Sequence, residues 1–273
     1  MKRRWVILLA ASVCGCSPAL REPPSVATLA SKPPQVEISG AASLLREADL
    51  RWARRPDAAA VAEAESLYLR AAEADEKDTA GLIGAVRAKA WLTERERNAK
   101  RRSDLAVSAV QTAQWCQRRE PELAACDYWL ALAVGLQARE VRVTADDGLK
   151  KMVAALQKAI DKDPEYDEAG PHRVMALVLV RAPGWPVGPG DPEAGLEQAK
   201  RAVALRPGFP PNQFALGEAH AALKDGAAAR AAYVLGKSLA VALRDAGNPD
   251  APFWIVEADE ALSRASLSAR GRS

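Results

Sequence analysis

The sequence predicts an all-α chain: a right-handed solenoid of about five divergent helix pairs, closed by a C-terminal capping helix. Three observations carry this. First, one pattern occurs twice within residues 191–241: Ala199, Ala202 and Pro207 follow Gly195 at four, seven and twelve residues, and Tyr233, Gly236 and Val241 follow Ala229 at the same spacing. Second, these two anchors stand 34 residues apart, enough for two short helices and their turns. Third, the spacing recurs upstream at Met152, Leu156, Ala159 and Pro164, at Ala109, Ala113, Cys116 and Pro121, and at Ala64, Tyr68, Ala71 and Glu76.

Packing explains the pattern. The second helix of a stacked hairpin needs small residues where its partners cross closely, and a larger residue one turn on. A proline or a charge then ends it, because proline cannot continue the hydrogen-bond ladder. A 34-residue unit of two helices resembles the tetratricopeptide repeat. The upstream anchors are separated by 45, 43 and 43 residues, which predicts roughly nine to eleven extra residues in the turns inside those repeats.

Four segments are expected: a leader (1–15), a lipidated tether (16–40), the repeat domain (41–265) and a tail (266–273). Lys2, Arg3 and Arg4 precede a short apolar run from Trp5 to Val13, too short to span a bilayer. Val13-Cys14-Gly15-Cys16-Ser17 then resembles a bacterial lipoprotein signal cleaved before Cys16, with lipid on that cysteine; Cys14 is the alternative. Ser17, rather than aspartate, favours an outer-membrane address facing the periplasm. Pro18, Pro23, Pro24, Pro33 and Pro34 among small residues read as a tether that lifts the domain off the membrane.

The charge balance shifts with the leader. The whole chain carries 38 basic and 35 acidic residues; without Lys2, Arg3 and Arg4 the two are equal at 35. A near-neutral mature chain gives no electrostatic reason to bind nucleic acid.

The helices follow in order. Leu44, Ala48 and Trp52 recur on one face, and Pro56 ends that helix. Asp57 caps the next, to about Ala74. Another runs from Thr79 to Thr93, with Ile83-Gly84 at the close-packing point. The charged stretch Arg95–Arg102 reads as a solvated turn, with an acidic partner or lipid headgroups as the alternative. Ser103 or Asp104 is expected to cap a helix reaching Arg118. Leu123, Tyr128, Trp129, Leu130, Leu132, Val134 and Leu136 make the following helix apolar on most faces and therefore buried on most faces. Thr144 or Asp146 starts a helix that ends before Pro164. Pro171 fits a helix start. Residues 182–190, rich in proline and glycine with Trp185 in the middle, form an exposed rigid turn. Asp191-Pro192-Glu193 is a strong helix start. Phe209-Pro210-Pro211 opens a helix with Leu216-Gly217 at its crossing. Lys224-Asp225-Gly226 is a tight turn, and a last amphipathic helix from Pro252 to Arg264 covers the open end of the stack.

Little points to catalysis or a cofactor. His172 and His220 sit in different repeats, without a second ligand at metal spacing, and read as packed or surface histidines. Gly188-Pro189-Gly190 lacks the lysine of a phosphate loop. Asp146-Asp147, Asp161, Asp163 and Asp167-Glu168 are helix-end carboxylates. Cys116 and Cys126 lie ten residues apart, at the end of one helix and the start of the next across a turn; they form either a disulfide or two buried free thiols. Most tryptophans (Trp52, Trp91, Trp115, Trp129, Trp254) fit the core, while Tyr128, Trp129, Trp185, Phe209 and Phe214 are the candidate binding surface of the solenoid.

Residues 127–262 carry a more specific likeness. Tyr128-Trp129-Leu130-Ala131 with Gly135, Gly170-Pro171-His172-Arg173-Val174, Pro183-Gly184-Trp185-Pro186, Gly190-Asp191-Pro192 and Ala199 to Pro207 resemble the TatT lipoprotein family associated with tripartite ATP-independent (TRAP) transporters. That resemblance implies a non-enzymatic periplasmic protein, a homo-oligomer (a trimer with a pore), and a partner in a transporter's solute-binding protein or a small hydrophobic ligand. The alternative is a structural scaffold in outer-membrane or envelope assembly.

Overall fold

Asp57, Asn98, Asp191 and Asp225 each accept backbone N–H hydrogen bonds from the turn that follows them, filling donors that a helix start leaves open. Between such starts the computed structural model describes residues 17–30 and 40–270, with 265–270 through their backbone. The leader, Cys16, residues 31–39 and residues 271–273 lie outside the described residues. The helices are α1 (Val26–Leu29), α2 (Ala41–Trp52), α3 (Ala58–Ala74), α4 (Ala80–Arg95), α5 (Ala99–Arg119), α6 (Ala124–Glu140), α7 (Ala145–Lys162), α8 (Tyr166–Arg181), α9 (Pro192–Leu205), α10 (Pro210–Ala222), α11 (Gly226–Asp245) and α12 (Ala251–Arg270).

From α2 onward each helix packs on the next, giving five pairs, α2/α3 to α10/α11, with α12 packed on α11 and α10 as a cap. The chain is an all-α solenoid. The first helices, α2, α4, α6, α8, α10 and α12, also touch one another in sequence, whereas the second helices do not. A curved stack crowds its inner side, so the first helices form the inner wall. The anchors fall on the second helices. Ala64, Ala71, Ala109, Ala113, Ala159, Ala199 and Ala202 are at 0% exposure, and the larger Tyr68, Leu156 and Tyr233 are buried beside them.

The crossing points Gly84 and Gly217 lie against Tyr68 and Tyr233. A Cβ on Gly84 would stand 2.5 Å from the Tyr68 ring, and one on Gly217 2.8 Å from the Tyr233 ring. Tyr68 is buried, and its hydroxyl donates to Asp49 at 2.5 Å, so the ring is held from both ends. Burial and that carboxylate push its phenol up to about 12, keeping it a donor. Gly84→Ala is expected to destabilise by roughly 1–3 kcal/mol through overpacking, read as a lower urea midpoint with unchanged slope; an unchanged midpoint refutes this packing.

Several expectations are corrected. Arg95–Arg102 is a turn only at residues 96–98, and although Arg97, Lys100 and Arg101 are exposed, the stretch is otherwise helix end and helix start. Asn98, rather than Ser103 or Asp104, caps α5 by accepting from the Arg101 N–H at 3.0 Å, so Lys100 to Arg102 form its first turn. Arg102 donates to Glu140 at 2.9 Å, and Arg95 stacks on Trp91 at 3.9 Å. The extra residues of these repeats therefore lengthen helices: α4, α5, α6 and α7 have 16, 21, 17 and 18 residues. Only the α8–α9 connection spends them in a turn. α12 continues to Arg270, into the stretch read as a tail.

Pro171 sits just after a left-handed turn at Asp167, Glu168 and Ala169, with φ of 49°, 57° and 59°, so the right-handed part of α8 begins where its missing N–H costs nothing.

Residues 17–30 are not a free tether. Ala19 is 1% exposed within the main core, and its N–H donates to Asp147 at 2.7 Å. Trp115 Nε1 donates to the Pro24 carbonyl at 2.7 Å. Val26 is buried in a cluster with Leu82, Cys116 and Cys126. α1 then packs on α3 and α5. The segment is a strap across the second-helix wall. It bonds to both α5 and α7, whose backbones stay apart.

Candidate interaction surfaces

The inner wall places charged groups against rings. Trp52 of α2 lies between Arg55 and Arg87, each guanidinium 4.5 Å from its ring. Farther along, Arg173 of α8 sits 5.0 Å over Phe209, which meets Trp254 of α12 edge-on at 5.3 Å. Arg181 of α8 pairs with Glu218 of α10 at 2.6 Å, and burial raises the carboxyl of neighbouring Glu257, with Arg181 opposing. Cations, carboxylates and ring faces thus alternate along this wall, already in contact with one another.

Of the aromatic candidates, Tyr128, Trp129 and Phe214 are not surface residues. They are 2%, 8% and 5% exposed. Helical period shows that these rings belong to an apolar face, and in α6 and α10 that face is covered by neighbouring repeats. Tyr128 meets Trp129 and Tyr166 edge-on at 5.3 Å, and Phe214 packs with Tyr233 and Ala258. Phe209 is half-buried. Trp185 stands out at 90% exposure, beside Val187 at 69%.

The loop under Trp185 is preformed. Gly190 N–H donates to Pro183 O at 2.8 Å, Gly188 N–H to Gly184 O at 3.1 Å, and Asp191 N–H to Leu179 O at 2.8 Å. A side chain on Gly188 would collide with the Pro183 carbonyl at 2.6 Å, so the glycine there is dictated by close approach.

Sequence reasoning misses a buried polar network behind the wall. Tyr128 donates to Asp167 Oδ2 at 2.6 Å, and Arg173 Nη2 to the same oxygen at 3.0 Å. Arg173 Nη1 donates to Asp167 O, Glu168 O and Asn212 Oδ1 at 3.2, 3.1 and 3.1 Å. Asn212 Nδ2 donates back to Glu168 O at 3.0 Å. Burial, with Asp167 adjacent, raises the Tyr128 phenol well above its ordinary value. The network pins the left-handed turn and ties α6, α8 and α10 together. Gly170-Pro171-His172-Arg173 is visible as a motif, but its partners lie 39 and 45 residues away.

The two ends of the solenoid meet through side chains. Arg55, in the α2–α3 turn, donates to both Asp250 oxygens, with Nη2 at 2.8 Å from Oδ2, and Arg95 at the end of α4 stacks on Phe253 of α12 at 5.1 Å. Arg55 and Asp250 are 16% and 28% exposed as side chains, partly shielded from solvent screening. Asp250→Ala is expected to cost about 1–2 kcal/mol and to raise the radius of gyration by opening the ends; small-angle scattering with the wild-type radius would show that the contact does not hold them.

His172 Nδ1 lies 2.6 Å from Gln198 Oε1 and is 4% exposed, and His220 lies 3.7 Å from Asp225. Among the described residues no group of three His, Cys, Asp or Glu side chains converges on a metal position. A shallow cleft of about 390 Å³ is lined by Gln117, Pro121, Glu122, Asp127, Lys158 and Lys162, but Lys162 is already bound to Asp127 at 2.6 Å. Cys116 and Cys126 are joined as a disulfide, with Cα atoms 5.3 Å apart. It links the last turn of α5 to the first of α6.

Pairs of helices, a crowded inner wall and small residues at each crossing define a tetratricopeptide-type solenoid. The same fold is found in TTC0263, a thermophilic tetratricopeptide-repeat protein of Thermus thermophilus, at 19% identity, covering 82% of this chain and 99% of that one with a TM-score of 0.61. Weaker likenesses are to the MamA protein (15% identity, 73% of this chain and 91% of that one, TM-score 0.45) and to yeast Tom70 (16% identity, 86% of this chain and 48% of that one, TM-score 0.45). No protein-family model and no curated protein matches the chain.

Proposed function

We infer that this protein is a non-enzymatic, lipid-anchored component of the bacterial envelope whose inner wall holds a protein partner. The carrying observation is that wall: Trp52–Arg87, Phe209–Trp254 and Arg181–Glu218 set rings and charges on α2, α4, α8, α12 and at the start and middle of α10, the face on which solenoids bind. The leader and Cys16 support an outer-membrane address facing the periplasm. The TatT-like segments at 127–262 support a solute-binding protein of a TRAP-type transporter as the partner. A chain-length solenoid that buries its own aromatic core and bridges its two ends suits a scaffold that presents a fixed surface.

Photo-crosslinking tests this. A photoreactive residue at Asp49 or Phe209, on the inner wall, is expected to capture a partner in native envelopes, while one at Lys237, on outer helix α11, is not. Mass spectrometry of the adduct separates the readings. A solute-binding protein supports the transport role. Envelope-assembly proteins alone support the scaffold. Capture at Lys237 without capture at the wall overturns the inner-wall assignment.

A further inference from the structure

In a solenoid of alternating helices, the turns inside repeats emerge at one edge and the turns between repeats at the other. Residues 141–144 join α6 to α7 and residues 182–191 join α8 to α9, so both stand at the intra-repeat edge of neighbouring repeats. Val143 is 60% exposed at the first, and Trp185 and Val187 are 90% and 69% exposed at the second. The strap begins at that edge. Ser17 N–H donates to Val143 O at 3.2 Å, and Ala19 N–H to Asp147 Oδ2 at 2.7 Å. One peptide bond separates Ser17 from Cys16.

We propose that the intra-repeat edge carrying Val143, Trp185 and Val187 is a bilayer-docking face, held against lipid by an anchor whose next residue, Ser17, is bonded to that edge. This rests on the reading of Cys16 as the lipidated residue. A free tether would let the domain tumble above the membrane. Here the chain leaves the headgroup region and is bonded to the fold at its first described residue. The acyl chains on Cys16 then cannot enter a bilayer without bringing the Val143 turn to its surface. Trp185 fits that position for a separate reason. Tryptophan partitions to the membrane–water interface, where its ring meets the acyl boundary and its N–H stays hydrated. A ring so exposed on a preformed loop loses little entropy on insertion. No described helix is long and apolar enough to cross a membrane, so this contact is interfacial. The inner wall remains open to a partner.

The test uses the full chain, produced in bacteria so that the leader is processed, and reconstituted in phosphatidylcholine vesicles with brominated acyl chains. An environment-sensitive fluorescent amino acid replaces either Val187 or Lys77, the latter exposed in the α3–α4 turn at the opposite edge. The probe at 187 is expected to show several-fold quenching and a blue shift, and the probe at 77 neither. Equal quenching at both sites, or none at either with the anchor inserted, overturns the docking face. The mass of the N-terminal peptide from the same sample reports acylation separately. If Cys16 proves unmodified, the lipoprotein reading fails, and coupling its thiol to a maleimide lipid supplies the anchor; the same two probes then decide the docking face.

Discussion

Arg173→Ala is expected to lower the unfolding free energy by roughly 2–4 kcal/mol, because its backbone and amide acceptors are buried while its ionic partner Asp167 keeps a side chain 41% exposed. Arg173 is 8% exposed, and its guanidinium donates to Asp167, Glu168, Asn212 and Tyr128. Truncation leaves those acceptors facing a void. An orphaned buried acceptor costs about 1–3 kcal/mol. It also releases the turn at Asp167–Ala169, where each non-glycine residue in the left-handed region costs roughly 1–2 kcal/mol. In the native chain Arg173 offsets that strain by gripping two carbonyls of the turn. Arg173→Lys keeps the charge but has no planar fork, and should recover only part of the loss. The check is urea unfolding of both variants beside Lys200→Ala, whose side chain is 52% exposed and whose effect should stay within about 0.5 kcal/mol. Hydrogen exchange should then show α8 and α10 opening first. A loss below about 1 kcal/mol for Arg173→Ala would mean the turn is held by something else.

Much of this architecture is legible in the sequence, and the limits have physical causes. Small residues at fixed spacing mark helix crossings because nothing larger fits there, so Ala64, Gly84, Ala199 and Gly217 report the stacking directly. Asp57 and Asp191 report helix starts because capping is local chemistry. The strap is illegible because prolines and serines describe a linker equally well. What buries Ala19 is the groove beside α5 and α7, with its bond to Asp147 spanning 128 residues. The left-handed turn is hidden for the same reason. Asp167-Glu168-Ala169 contains no glycine or asparagine, and contacts from Tyr128, Arg173 and Asn212, distant in sequence or past the turn, hold that conformation. Tyr128 and Phe214 show how a motif names residues without saying which way they face. Trp185 is readable because proline and glycine on both sides leave its ring nowhere to pack.

Removing the Cys116–Cys126 bridge is expected to cost about 3 kcal/mol, the loop-closure entropy of a short cross-linked segment, and to lower the melting temperature by about 6–12 °C for a domain of this length. The bond spans ten residues of sequence and fixes the α5–α6 turn. Its sulfurs lie in the cluster that holds Val26 and Leu82, and Trp115 beside them donates to Pro24. Stability and strap docking are therefore coupled at one place. In the variant Cys116→Ala/Cys126→Ala, the strap should become accessible to protease before the solenoid unfolds, while helical content at 25 °C stays unchanged. Reduction of the native protein should reproduce that order of events. The observation that would sink this is direct: alkylation of the native chain under denaturing conditions without reductant, followed by peptide mass analysis. Modification of both cysteines would establish free thiols, and the ordering of the strap would then rest on its bonds to Val143, Asp147, Trp115 and Arg118 and on the burial of Ala19 and Val26. A protected peptide pair would instead show the bridge formed, which the oxidising compartment expected from the leader and Cys16 permits.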